Sequence, residues 1–330
     1  MKLVLKSIVF CIVFMSVLLS LPAYAEEKMS ASPKDWMSKL DESTPLSKIN
    51  IPGTHDSGSY TLTDPVKSVW AKTQELDYKG QLEKGIRFFD IRGRATSDNS
   101  IGVHHGVVYL HHNFGDFVKI AKQFLTENSG ETIILSMKKD HDPAEGVTKN
   151  FPEIFKDSYF DYDEYKDYFY HEMEMDPKLK DVKGKIVLFN RMGQTSINSG
   201  YGMEKGIHWP DNQSFETKIN NDMLTLHVQD EYKDSYYPKV DAIKKLLEKS
   251  KNETTDNNLY VNFLSVSSGG TAFNSAYYYA SYINPEIAKY INENKNMRTG
   301  WLIMDYAGYE WSGYPDIIKA VIDSNKEKGN

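Results

Sequence analysis

The residues best equipped for chemistry lie in three short stretches close together in the chain. Ile51-Pro52-Gly53-Thr54-His55-Asp56-Ser57-Gly58 comes first. Phe88-Phe89-Asp90-Ile91-Arg92-Gly93-Arg94 is second, and Ile101-Gly102-Val103-His104-His105-Gly106 is third. The last two run from apolar residues into charged or titratable ones and then into glycine. The first does the same after the Pro52-Gly53 turn signal. That pattern fits a strand running into a loop with small neighbours, where side chains can meet a ligand. Two histidines, an arginine and several aspartates are the parts needed for acid–base chemistry on a phosphate. Histidine titrates near neutral pH and can give or take a proton. Arginine matches a phosphate with a planar fork of donors and keeps its charge. A hydroxyl next to a phosphodiester is a built-in nucleophile, so the protein need not supply one. It must supply a base, an acid, and cations for the non-bridging oxygens.

Such residues need elements to position them. Apolar, β-rich runs occur at 48–51, 85–91, 101–105, 132–137, 185–189, 224–228, 259–264 and 298–304. Thr132-Ile133-Ile134-Leu135-Ser136-Met137 and Lys185-Ile186-Val187-Leu188-Phe189 are nearly unbroken, as in parallel strands buried on both faces. Helix-like segments at 66–83, 114–127, 239–248, 285–290 onward and 315–324 lie between many of them. Pro285 and Pro315 are expected in first helical turns, where proline is tolerated. The acidic, tyrosine-rich stretch 140–181 has no assignable pattern. No helix fits between the second and third runs. The expectation is a single α/β domain, an irregular (β/α)8 TIM-type barrel. The alternative is an open doubly wound sheet, but no G-x-G-x-x-G follows a strand. In a barrel the polar residues at strand C-ends collect on one face. Those residues are His55, Asp56, Asp90, Arg92, His104, His105, Lys138, Arg191, Asp230, Tyr232, Ser265 to Ser268, and Asp305. The set suits an anionic substrate and proton transfer at two points.

Residues 1–25 read as a secretory signal peptide. Lys2 and Lys6 precede an apolar run, and Ala23-Tyr24-Ala25 fits a small-x-small cleavage site. No later segment is apolar for long enough to span a bilayer. A secreted, extracellular chain of residues 26–330 is expected. Cys11, inside the leader, is the single cysteine of the chain. The mature chain is thus expected to have no disulfide, thiolate metal site or cysteine nucleophile. Formal charge is −7, or −9 without Lys2 and Lys6. That opposes binding to nucleic acid and electrostatic attraction to anionic lipid. The 22 tyrosines suit a core, sugar stacking, or cation–π contacts at an interface.

From about Trp36 to the C-terminus the chain resembles bacterial phosphatidylinositol-specific phospholipase C. The resemblance is carried by the stretches at His55, Arg92 and His105 quoted above. It is also carried by Val228-Gln229-Asp230-Glu231-Tyr232-Lys233, Ser267-Ser268-Gly269-Gly270-Thr271-Ala272, and Tyr277-Tyr278-Tyr279. It implies the irregular barrel and cleavage of phosphatidylinositol to diacylglycerol and a cyclic inositol phosphate. It also implies release of glycosylphosphatidylinositol-anchored proteins, with no metal or other cofactor. By position, His55 resembles the general base and Asp305, from Ile303-Met304-Asp305-Tyr306, its orienting carboxylate. His105 resembles the general acid, Asp56 the carboxylate that works with it, and Arg92 the phosphate clamp. Asp90, Lys138, Arg191, Asp230 and Tyr232 are expected to bind substrate; the last four resemble the inositol contacts. Trp70, Phe273, Tyr277, Tyr278, Tyr279 and Tyr282 are expected to meet a choline-containing membrane surface. Phe273 stands where well-known members carry a tryptophan.

Two other readings compete. A metal-dependent glycerophosphodiesterase on the same barrel needs acidic ligands at strand ends, and only Asp90 is obviously suited. His104-His105 with His111-His112 makes a poor metal cluster, since neighbours on a strand face opposite ways. A non-catalytic lipid- or sugar-binding relative has no need of both His55 and His105.

Overall fold

The computed structural model describes residues 33–267, 271 and 273–325. The leader read at 1–25 and the double glycine at 269–270 lie outside the described residues. Parallel strands run in the order β6 (Ile186–Arg191), β5 (Ile133–Lys139), β2 (Phe88–Ala95), β1 (Ile51–Thr54), β10 (Trp301–Met304), β9 (Asn258–Phe263) and β8 (Leu224–Gln229). Strand β7 (Phe215–Ile219) adds antiparallel to β8. Among the described residues no ladder joins β6 to β7. The segment around Tyr201 lies along β6 instead, with Tyr201 N–H donating to the Leu188 carbonyl at 2.8 Å. This is an irregular, incompletely closed barrel of TIM type.

The irregularity on the other side starts at β2. Its first half pairs with β1, and its last residues pair antiparallel with β3 (Ile101–His105). Strand β3 turns straight into β4 (Val108–Asn113). The run at 101–105 is therefore a hairpin arm and not a barrel stave, which is why it has no crossover helix. Sequence reading missed β4 and β7. Phe215-Glu216-Thr217-Lys218-Ile219 does alternate apolar and polar, the mark of a half-exposed strand.

Period-two alternation sorts the side chains. On β2, Phe88 meets Phe189 and Trp301 inside the barrel, each at 5.7 Å between centroids. Phe89 points out to Phe117 at 5.2 Å. Asp90 and Arg92 thus share the inner face with Phe88, above an aromatic plug. Gly53 is required on β1 because a Cβ there would lie 2.7 Å from Ile303 and 2.8 Å from Phe88.

Helices α1 (Pro65–Ala71) and α2 (Tyr78–Glu83) replace the single helix expected at 66–83. Asp64 and Asp77 cap them. The chain breaks between them because Thr73 and Gln74 are diverted to brace the end of β1. Helix α3 (Phe114–Glu127) has a capping box from Asn113 and Asp116 and matches its expected span. Short helices α4 (Phe151–Phe155) and α5 (Leu179–Val182) fall in the stretch left unassigned. Helix α6 (Tyr236–Lys251) follows β8. Helix α7 (Ala276–Glu293) starts well before Pro285, with Ser275 as its cap, so Pro285 is interior. Its buried stripe of Ala280, Ile283, Ile287 and Ile291 supplies the packing that offsets the lost hydrogen bond. Helix α8 (Ile317–Asp323) is capped by Asp316, leaving Pro315 outside it.

Candidate active site

His55 follows β1, with its N–H on the Met304 carbonyl at 3.0 Å. Its own carbonyl accepts from Thr73 Oγ1 and Gln74 Nε2, both at 2.9 Å. The ring is thus fixed from two sides, with Nδ1 2.7 Å from Asp305 Oδ1. A carboxylate only accepts, so this network puts the hydrogen on Nδ1 and leaves Nε2 to take a proton. Asp305 is itself held through its carbonyl by Asn284 Nδ2 of α7 at 2.9 Å.

Three groups converge on Asp56 Oδ2. His55 Nε2 and Arg92 Nη1 lie 3.3 Å away, and His105 Nε2 lies 3.4 Å away. The two imidazoles face each other edge-on, 6.2 Å apart. Asp56 is 1% exposed, and neither of its carboxylate oxygens has a hydrogen-bond partner among the described residues. Its backbone is left-handed, at φ 41°. A non-glycine residue in that region is strained, and such strain gathers where function over-determines the backbone. Burial alone would lower the pKa of His55, but Asp305 and Asp56 outweigh burial and Arg92, so it lies above the ordinary value.

His105 is set up differently. Its Nδ1 is 2.9 Å from the Ala71 carbonyl at the end of α1. A carbonyl only accepts, so this bond assigns the hydrogen to Nδ1, and Nε2 gains one only in the imidazolium. That proton would point into the space shared with His55 and Arg92. His104 faces the other way, against Tyr109 and His141.

Arg92 grips Asp90 Oδ2 through Nε at 3.0 Å and Nη2 at 2.9 Å. Asp90 Oδ1 accepts from Arg191 at 3.2 Å and Ser136 at 3.0 Å. Burial pushes the Asp90 pKa up, but Arg92 and Arg191 hold it well below the usual carboxylate range. Asp90 was expected to touch substrate. It is fully buried behind the wall, and its charge is spent on orienting the two arginines. Arg191 also stacks on Trp209, 3.8 Å from the ring centre, and Trp209 Nε1 donates to Asp230 Oδ2 at 2.9 Å. Lys138 donates to Asp140 Oδ1 at 2.7 Å.

These groups surround a cavity of about 560 Å³. His55, Arg92, His105, Lys138, Arg191, Asp230 and Tyr232 line it, with Trp70 among them. Asp56, Asp90 and Asp305 stand behind the lining. Sequence reading missed Ser136, Asp140 and Trp209, as well as Thr73 and Gln74. Ser136 lies two residues before Lys138 on one strand, so alternation places both inward; Trp209 sits in a loop with no local signal. Among the described residues no group of three or more His, Cys, Asp or Glu side chains is arranged to hold a metal ion.

The aromatic set is only partly together. Trp70 is 56% exposed, so it is not a core residue, and Phe273 is 82% exposed. Tyr278 packs against Tyr282 at 5.1 Å and Phe273 at 6.5 Å, and Tyr236 joins Tyr282 at 6.1 Å. Tyr277 instead meets Tyr306, Tyr309 and Trp311, at 5.2, 5.3 and 5.2 Å. Adjacent residues on a helix point about 100° apart, so the tyrosine run is divided between two clusters.

Two histidines and an arginine gathered on one buried carboxylate, beside a polar pocket on a TIM-type barrel, define a phosphodiester-cleaving site. The chain belongs to the phosphatidylinositol-specific phospholipase C family. The family model for the phosphatidylinositol-specific phospholipase C X domain matches residues 49–192. A 1-phosphatidylinositol phosphodiesterase of Staphylococcus aureus (strain Newman) is 60% identical over 305 residues, 92% of this chain and 98% of that protein. A structure of the Staphylococcus aureus phosphatidylinositol-specific phospholipase C, from work on modulation of its membrane binding, has a TM-score of 0.88. It is 60% identical and covers 90% of this chain and 99% of that one. The phosphatidylinositol-specific phospholipase C of Listeria monocytogenes matches with a TM-score of 0.69 and 29% identity, covering 89% and 98%.

Proposed function

We propose that this chain is a phospholipase C of the lyase type that cleaves phosphatidylinositol to diacylglycerol and inositol 1,2-cyclic phosphate. The observation that carries this is the pair of opposed Nε2 atoms, on His55 and His105, flanking one oxygen of Asp56 beside Arg92. His55 Nε2 takes the proton of the inositol 2-hydroxyl, and that oxygen forms a bond to phosphorus. The bond from phosphorus to the glycerol oxygen breaks. The leaving oxygen takes the proton from His105 Nε2, and diacylglycerol departs. Asp305 steadies the imidazolium formed on His55, and Arg92 meets the charge on the non-bridging oxygens. Lys138, Arg191, Asp230 and Tyr232 hold the inositol ring. Their polar heads point into a cavity large enough for a sugar-sized ring. The same attack on a glycosylphosphatidylinositol would release its protein.

Cleavage of phosphatidylinositol vesicles in excess chelator, followed by phosphorus NMR, tests the reading. The expected first product is the cyclic phosphodiester, at a rate unchanged by chelator. A product that is acyclic from the outset, or an enzyme silenced by chelator and restored by a divalent cation, would favour the glycerophosphodiesterase reading.

The leader-like segment 1–25 supports export, and the substrate then lies in an external membrane. Electrostatics does not bring the chain there, because its net charge is negative and surface potentials fade within about 8 Å at physiological salt. Exposed aromatics supply the alternative. Trp70 beside the cavity and Phe273 fit entry into the headgroup boundary. Tyr277, Tyr278, Tyr279 and Tyr282 offer cation–π faces to choline, at about 0.5–2 kcal/mol each. Trp70→Ala is expected to weaken binding to phosphatidylcholine-rich vesicles, with little salt dependence. Cleavage of a short-chain soluble substrate should stay near the parent rate. Parallel loss of both activities together with thermal stability would end the interfacial reading.

A further inference from the structure

We propose that Asp140 is a positioning residue that clamps the His105 loop to Lys138, so that one carboxylate sets both the acid and a headgroup contact. The proposal rests on the reading of His105 as the general acid and of Lys138 as an inositol contact. Asp140 comes directly after β5, where its N–H donates to the Gly93 carbonyl of β2 at 2.9 Å. Its side chain is 8% exposed, and its two oxygens serve different elements. Oδ1 accepts from Lys138 Nζ at 2.7 Å, and Oδ2 accepts from the Gly106 N–H at 2.5 Å.

Gly106 is the residue after His105. It has φ 55°, and a Cβ placed there would meet nothing within 4 Å. Glycine is therefore there for its backbone conformation and not for lack of space. His105 is thus tied at two points, by its ring to the Ala71 carbonyl and by its following amide to Asp140. Burial pushes the Asp140 pKa up, but Arg92 and Lys138 hold it well below the usual carboxylate range. The oxygen facing Gly106 is therefore anionic at neutral pH, and a bond to a charged acceptor is roughly twice as strong as a neutral one.

A residue that works through the general acid has a signature that mere support of the fold lacks. It matters only when the leaving oxygen needs a proton. Turnover should be measured on phosphatidylinositol, whose alkoxide leaves poorly, and on a nitrophenyl inositol phosphate, whose phenolate leaves well. Misplacing a reacting group by about 1 Å costs on the order of 10²-fold. Asp140→Ala is therefore expected to lose about 10²-fold in kcat on the lipid and only about fivefold on the aryl ester. KM should rise on both, because Lys138 loses its partner. Adding Asp140→Ala to His105→Ala should cost little more on the lipid. Melting temperature reports folding. If the alanine variant does not fold, Asp140→Asn carries the test, since the amide keeps the shape but loses the charge. It should show the same preference, at about fivefold. Equal kcat losses on both substrates, with His105→Ala still selective, would remove the clamp alone. An unselective His105→Ala would remove the acid assignment and the clamp with it.

Discussion

His55→Ala and His105→Ala should each lower turnover of phosphatidylinositol by about 10²–10⁴-fold, the range supplied by a positioned acid or base. That is roughly 2.7–5.5 kcal/mol of transition-state stabilisation. The two losses should differ in kind. A nitrophenolate leaving group needs little protonation, so the aryl substrate should recover much of the His105→Ala loss. The 2-hydroxyl still has to lose its proton, so His55→Ala should not recover. Equal recovery of both would overturn the assignment of acid and base. The pH profile gives an independent check. His55 acts as a base only when neutral, and its pKa is raised by Asp305 and Asp56. The acid limb of kcat/KM should therefore lie above the ordinary histidine value of about 6.5. A limb well below that value would mean that another group is the base.

Arg92→Lys should lose about 10²–10³-fold in kcat while free inositol still binds. Arg92 uses Nε and Nη2 on Asp90 and turns Nη1 toward Asp56 and the cavity. Lysine has one point of charge and no fork, so it can balance buried Asp90 or meet the phosphate, but not both. Kinetics paired with inositol titration and thermal melting separates these effects. A lysine variant with near-full kcat would rule out the clamp. A variant that had lost inositol binding to the same degree would mean that Arg92 orders the whole pocket through Asp90 and Arg191.

Much of the lining of the candidate site was legible because those residues follow local patterns. His55, His105, Lys138, Arg191, Asp230 and Asp305 each stand at or near the C-terminal end of a strand, whereas Asp90 and Arg92 lie inside β2, which runs on to Ala95 past its apolar run. Seven of the eight apolar runs became strands over most of their length. Of the run at 48–51 only Ile51 lies in β1. Pro52-Gly53, read as a turn signal, are inside that strand because it pairs with β10 on one side and β2 on the other. The errors are local patterns overruled from afar. The helix expected at 66–83 breaks because Gln74 donates to the carbonyls of His55 and Met304. Pro285 falls inside α7 because Ser275 caps that helix ten residues earlier and its apolar stripe packs. Asp90 has the look of a substrate contact, yet its inward strand position buries it under two arginines.

What the sequence determined by itself was the inventory: histidines and carboxylates, cations, apolar strand runs and an aromatic surplus without basic charge. Residue type and periodicity of two or 3.6 carry that information without reference to distant parts of the chain. Only the tertiary structure decided the partnerships. Asp305 reaches His55 across 250 residues because β1 and β10 pair in parallel, with Thr54 opposite Met304. His105 donates its Nδ1–H to the Ala71 carbonyl at the end of α1, and Asp56 becomes the shared neighbour of His55, Arg92 and His105. These contacts depend on strand order and barrel curvature, which follow from packing the whole core and have no signature in any short window of residues.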